Sequence, residues 1–322
     1  MPDRFPPIEP YNTGLLEVGD GNRVYFEECG NPEGKPALVV HGGPGSGCRP
    51  GHRRVFDPEK YRIVLFDQRN CGRSLPHASD PAVDLAANTT DHLIADMELL
   101  REHLGIGQWL LYGGSWGSTL ILAYTLRHPE RVSEVVISAV TIGRAAEIEW
   151  LYQGVGRYFP EQWERFRDAV PEAERGKDVF DLLAAYGRLA RDPDPLMREH
   201  ATREWLAWED AVISVEPNGT PNAYSTRPAF NLNAFVRICA HYFSQDCFVD
   251  GDALLRDAGR LGHIPAVFAH GRFDLGGPLI YAWELAHAWP GSRLEIVEDA
   301  GHTGSDAMGA VTRAAIDGFA RR

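Results

Sequence analysis

The sequence predicts an α/β fold in which a mostly parallel sheet, flanked by helices, is interrupted by an inserted helical cap. Three observations carry this. Short continuous apolar runs at 37–40, 61–66, 135–138 and 264–270 mark strands buried on both faces. Segments of helical periodicity alternate with them, the rhythm of a parallel sheet covered on both sides. From about Thr141 to Phe248 that rhythm stops, and the chain becomes rich in Trp, Arg and Glu in an amphipathic helical pattern. Residues 1–140 and 249–322 are therefore expected to form one α/β core, and 141–248 its cap.

In chain order, residues 13–30 read as a hairpin around the turn Gly19-Asp20-Gly21-Asn22. Strands follow at 37–40 and 61–66, the second ending at Asp67. Residues 92–104 have helical periodicity and stop at Gly105. The run 109–112 has strand character and meets Gly113-Gly114-Ser115-Trp116-Gly117, with a helix expected over 119–127. A buried strand at 135–138 precedes the cap. Strands at 264–270 and 293–297, then a helix at about 307–321, complete the core.

Composition narrows the function. A chain of 322 residues buries a large core. Its net charge of −13 argues against nucleic acid or anionic membrane as partner. No run reaches the roughly 18 apolar residues needed to span a bilayer. Met1-Pro2-Asp3-Arg4-Phe5-Pro6-Pro7 lacks the basic region and apolar core of a secretory signal. The five cysteines (29, 48, 71, 239 and 247) are odd in number, scattered, and without metal-type pairing. A cytoplasmic chain with reduced thiols and no metal or cofactor is expected.

Gly113-Gly114-Ser115-Trp116-Gly117 is Gly-x-Ser-x-Gly between a strand and a helix, the context of a nucleophile elbow. So tight a turn leaves little room for side chains at 113 and 117. A serine needs a base, and the base a carboxylate that fixes its tautomer, in the chain order Ser, Asp or Glu, His. Asp274 is the first carboxylate after the strand at 264–270, with Asp246, Asp250 and Asp252 as rivals. His302 lies in the loop before the last helix, with His270 and His263 as rivals. The oxyanion needs donors, and the backbone amides of Gly43 and Trp116 are the candidates, the first in the loop His41-Gly42-Gly43-Pro44-Gly45.

These motifs, with Asp67-Gln68-Arg69, Gly72-Arg73-Ser74, Gly271-Arg272-Phe273-Asp274 and Gly301-His302, resemble the proline iminopeptidase family of α/β-hydrolases. The likeness extends into the cap through Glu147-Ile148-Glu149-Trp150, the run 157–164, Trp205-Leu206-Ala207-Trp208-Glu209, and Arg237-Ile238 with His241-Tyr242-Phe243. It implies a serine hydrolase that releases an N-terminal residue, preferentially proline, from peptides or aminoacyl amides. Ser115, Asp274 and His302 match the family's triad. Glu209 matches a cap carboxylate that holds the substrate ammonium; Glu204 either reinforces it or faces solvent. Three positions depart from the family: Cys239 stands where a second ammonium-binding carboxylate is usual, and Thr141 and Leu151 where aromatic rings line the proline pocket. Phe243 matches a third pocket aromatic. Asn70 replaces a common glycine and tolerates the same left-handed backbone. The departures favour an alternative, an esterase, amidase or acyltransferase of small metabolites without strict prolyl specificity. A ligand-binding receptor on a retired hydrolase fold is a further alternative.

Overall fold

The computed structural model describes residues 5–226 and 229–320. The leader reading at Met1–Arg4 and the expected helix end at Arg321 lie outside them. Among the described residues the sheet has eight strands: β1 (Asn12–Glu17), β2 (Arg23–Gly30), β3 (Lys35–Val40), β4 (Tyr61–Asp67), β5 (Trp109–Ser115), β6 (Val132–Val140), β7 (Ala266–Gly271) and β8 (Ser292–Val297). Their order is β1-β2-β4-β3-β5-β6-β7-β8. The β1–β2 hairpin joins β4 antiparallel, and every pairing from β4 to β8 is parallel.

Strand alternation sends successive side chains to opposite faces. Leu38, Val40, Val64, Phe66, Leu111, Val135, Ile137 and Phe268 share one buried cluster. That cluster includes residues of α1 (Thr90–His103) and α2 (Trp116–Arg127). Ala37, Val39, Ile63, Leu65, Leu110, Val136 and Val267 turn the other way, toward Ile316 and Phe319 of the last helix. The continuous apolar runs are thus strands sandwiched between two helical layers, as their composition implies.

Between β6 and β7 the described elements are helical: α3 (Ala145–Tyr152), α4 (Pro160–Asp168), α5 (Val179–Leu189), α6 (Pro195–Ser214), α7 (Ala229–Phe243) and α8 (Gly251–Asp257). α9 (Leu279–Ala288) and α10 (Asp306–Phe319) flank β8 in the chain. The helices α3 to α6 meet on an aromatic cluster in which Tyr152 approaches Trp205 at 4.9 Å and Phe166 stacks on Tyr186 at 4.6 Å between ring centres. Trp205 and Trp208 are buried in it, which fixes the rotation of α6.

α2 begins at Trp116, three residues before the expected Thr119, because the strand passes into the helix through Ser115 alone. Ser115 adopts φ 54° and ψ −134°, a left-handed φ that costs a non-glycine residue on the order of 1–3 kcal/mol. Its neighbours enforce it. A Cβ on Gly113 would lie 2.5 Å from the Val40 carbonyl oxygen, and one on Gly117 only 2.3 Å from the same atom. Replacing Gly117 with alanine is expected to force the elbow off the end of β3 and lower stability by about 1–3 kcal/mol, the usual range for overpacking. Urea unfolding of the purified variant beside the parent checks this; an unchanged midpoint contradicts it.

Candidate active site

Every group of interest sits at the carboxyl end of a parallel strand or on the helices above it, where open α/β sheets place their ligands. Ser115 ends β5, His41 to Gly45 follow β3, Asp274 follows β7 and His302 follows β8. His302 Nε2 lies 3.0 Å from Ser115 Oγ, and its Nδ1 lies 2.9 and 3.1 Å from the two Asp274 oxygens. Nδ1–H donates to the carboxylate, so Nε2 faces the serine hydroxyl as acceptor. Burial works against the imidazolium, but Asp274, then Glu216 and Glu209, outweigh it and push the His302 pKa up to about 9. Burial alone raises the Asp274 carboxyl; His302 and His270 reverse that and hold it below the ordinary range.

The rivals are accounted for. His270 accepts from Val140 N at 2.9 Å through Nδ1 and donates to the Gly277 carbonyl at 2.8 Å through Nε2, so both ring nitrogens are committed to backbone. Burial lowers its pKa below the ordinary histidine value. His263 is exposed in the turn before β7. Asp250 caps α8, and Asp252 pairs with Arg144. Asp246 is exposed at φ 46°.

The donor loop is held from behind. Gln68 Nε2 donates to the His41 carbonyl at 2.9 Å, Gln68 N donates to His41 Nε2 at 3.0 Å, and Trp116 Nε1 donates to Gln68 Oε1 at 3.0 Å. Asp67 accepts from Cys48 N at 2.7 Å and from the Arg73 guanidinium. Arg69 makes a bidentate pair with buried Asp96, both contacts 2.8 Å. The Asp67-Gln68-Arg69 motif is therefore the brace of the site, and none of its side chains lines the cavities beside Ser115.

One small cavity of about 80 Å³ collects most of the candidates. Ser115, His302, Gly43, Trp116, Thr141, Leu151, Phe243 and Glu209 all line it. Glu209 Oε1 accepts from Tyr152 Oη and Trp205 Nε1, each at 2.7 Å, which aims the carboxylate from α6. Thr141 also supports the nucleophile: its Oγ1 donates to the Ser115 carbonyl at 2.8 Å. Two candidates lie elsewhere. Glu204 is buried but chelated by Arg165, with Arg203 at 3.2 Å, and so neither reaches the cavity nor faces solvent. Its position on α6 follows from helix phase, since Trp205 and Trp208 take the inward stripe. Cys239 is fully buried, and its thiol donates to the Pro44 carbonyl at 3.4 Å, behind the donor loop.

Two carboxylates have roles that sequence reasoning does not assign. Glu216, just past the end of α6, accepts from His302 N through Oε2 and from Leu275 N through Oε1, each at 2.7 Å. It thereby ties the base loop to the acid loop. Burial and the nearby Asp274 push its pKa up to about 7. Gly301 makes room for it, since a Cβ there would fall 2.3 Å from Oε2. Glu147 lines the cavity and accepts from the backbone amides of Ile142 and Gly143. Burial pushes its pKa up to about 7. Glu216 has no motif to mark it, and Glu147 lies inside the Glu147-Ile148-Glu149-Trp150 likeness without a role attached to it.

The family model described as alpha/beta hydrolase fold matches residues 35–306, which defines the class. A probable proline iminopeptidase of Streptomyces coelicolor is 49% identical over 98% of this chain and 98% of its own length. A proline iminopeptidase of Xylella fastidiosa is 46% identical over 93% of each. Among solved structures, a proline iminopeptidase-related protein from Thermus thermophilus superposes with a TM-score of 0.60 at 25% identity, covering 96% of this chain and 97% of that one. The chain belongs to the proline iminopeptidase family.

If His302 serves as the base, only its neutral form accepts the serine proton, and kcat/KM is expected to fall as pH drops through its raised pKa. The acid limb of the pH profile is expected above 6.5, the ordinary histidine value. In Glu216→Gln, loss of the negative charge moves that limb to lower pH, and loosening of the two loops lowers kcat about tenfold or more. A profile of the variant superimposable on the parent contradicts both.

Proposed function

We propose that the protein is a serine-type aminopeptidase that releases N-terminal residues, proline foremost, from short peptides or aminoacyl amides. One observation carries it. A linked Ser115, His302 and Asp274 opens onto the same small cavity as the Glu209 carboxylate. His302 Nε2 takes the proton as Ser115 Oγ attacks the carbonyl carbon, and Asp274 fixes the tautomer and steadies the imidazolium. The oxyanion lies against the amides of Gly43 and Trp116. Trp116 is the first residue of α2, and a first-turn N–H has no intrahelical partner. His302 then protonates the leaving nitrogen, and water repeats the sequence on the acyl ester. The steps draw on no metal or cofactor.

Glu209 answers the exopeptidase problem. A carboxylate beside the acyl pocket binds a free α-ammonium by a charge-assisted hydrogen bond, and an acylated amine loses that contact. The Phe243 ring with Leu151 gives the cavity an apolar wall. The finer reading is of a cytoplasmic enzyme, supported by five free cysteines. A second reading, a hydrolase of small esters or amides without prolyl selection, draws on Cys239. A thiol behind Pro44 offers the ammonium no second charge, and Thr141 and Leu151 give less ring surface than aromatics would.

The experiment is kcat/KM on proline β-naphthylamide, its N-acetyl form, alanine and leucine naphthylamides, and p-nitrophenyl acetate, with Ser115→Ala as blank. The free prolyl substrate is expected to lead by about tenfold or more; turnover of the acetate ester alone establishes the second reading. In Glu209→Gln, loss of a charged hydrogen bond worth about 1.5–3 kcal/mol lowers kcat/KM on proline β-naphthylamide by roughly one to two decades. Hydrolysis of p-nitrophenyl acetate, which has no amine, changes little in that variant. Equal losses on both substrates overturn the assignment of Glu209 to the amine.

A further inference from the structure

A second cavity, of about 370 Å³, meets the nucleophile from another side. It shares Gly43, Ser115, Ile213, Tyr224 and His302 with the first cavity, so Ser115 and His302 stand in the partition between the two. Its own walls mix apolar groups such as Val40 and Ala139 with polar ones, among them Ser46, Arg49, His52, Ser138 and Thr303. The charges on the two sides differ. Among the described residues, the first cavity is lined by Glu147 and Glu209 and by no Lys or Arg. The second is lined by Arg49 and, among the described residues, by no Asp or Glu, in a chain that holds 45 acidic residues against 32 Lys and Arg. His41, also on this wall, has its ring nitrogens committed to Gln68 N and the Gly42 carbonyl. His52 Nδ1 accepts from Arg49 N at 3.3 Å, which leaves the ring proton on Nε2.

We propose that this second cavity is a leaving-group subsite that receives the C-terminal carboxylate of a short peptide at Arg49, so that di- and tripeptides bind as zwitterions across Ser115. The inference rests on the aminopeptidase reading above. With the acyl residue in the first cavity and its ammonium at Glu209, the carbonyl carbon sits at Ser115. Its two carbon and nitrogen substituents diverge, so the scissile nitrogen points away from the acyl pocket and into the second cavity. There the acyl–nitrogen bond breaks, the electron pair stays on nitrogen, and His302, which lines both cavities, supplies the proton. A departing segment of one or two residues spans at most about 7 Å. Its carboxylate therefore remains close to the cavity wall, whereas a longer segment carries it out into solvent. Arg49 is exposed, so the attraction is modest and salt-sensitive.

The test compares kcat/KM for Pro-Ala and Pro-Ala amide at low and high salt, in the parent, Arg49→Ala and Arg49→Glu. The free acid is expected to lead the amide by about two- to fivefold at low salt, the range of one partly exposed ion pair. The lead shrinks at about 0.5 M NaCl, where screening is strong, disappears in Arg49→Ala and reverses in Arg49→Glu. Because each enzyme supplies its own acid-to-amide ratio, a change in the folded fraction cancels. Equal turnover of acid and amide in the parent, or a ratio unmoved by both substitutions, overturns this inference alone. If neither peptide nor proline β-naphthylamide is cleaved, the aminopeptidase reading falls and takes this one with it.

Discussion

Everything at the catalytic end of this sheet depends on one close backbone approach. The Val40 carbonyl at the end of β3 is met on two sides by Gly113 and Gly117, at distances no side chain permits. That contact brings the elbow beneath the loop that starts at His41, and so puts a strained Ser115 beside Gly43. The strain at Ser115 is held in place by its surroundings rather than relieved. Thr141 Oγ1 and Ser118 Oγ both contact its carbonyl, at 2.8 and 2.5 Å, and the strand on either side is buried. Moving the serine would require moving β3, β5 and β6 together.

Around His302 the site sets electrostatic forces against one another. Asp274, Glu216 and Glu209 all favour its protonated form, while burial disfavours it. A base kept too acidic would be slow, and one kept too basic would be idle at neutral pH. In the proposed reading, an ammonium at Glu209 neutralises one of these three negative charges just when a neutral imidazole is required. On that reading, substrate binding and base activation share one carboxylate.

The parts of the site legible in the sequence are those whose chemistry is local. Gly113 to Gly117 encode the elbow because the steric demand falls on adjacent residues, and the apolar runs encode their strands for the same reason. The helix after the elbow starts three residues earlier than its periodicity suggests because glycine and tryptophan give no helix-start signal; the start is imposed by the turn. Glu204 has no place that sequence alone can assign. Whether it meets solvent, substrate or arginine depends on α4, and its partner Arg165 is 39 residues away. Glu216 is out of reach altogether, since it binds backbone amides 59 and 86 residues distant, which carry no residue-type signature. Cys239, expected at a substrate-binding position, turns its thiol behind Pro44 instead.

Glu216 belongs to the helical segment above the sheet, yet its two hydrogen bonds end on the loops of the sheet itself. The placement of His302 and of the loop after Asp274 is therefore incomplete as a piece of the α/β scaffold. Recombination within the superfamily, whether by evolution or by an engineer exchanging the insertion for a relative's, carries a hidden requirement. The incoming segment must deliver a carboxylate to the space that Gly301 leaves open, or the scaffold receives a new specificity and loses the alignment of its histidine. The segment between β6 and β7 is thus tied to the loops it covers through a single side chain.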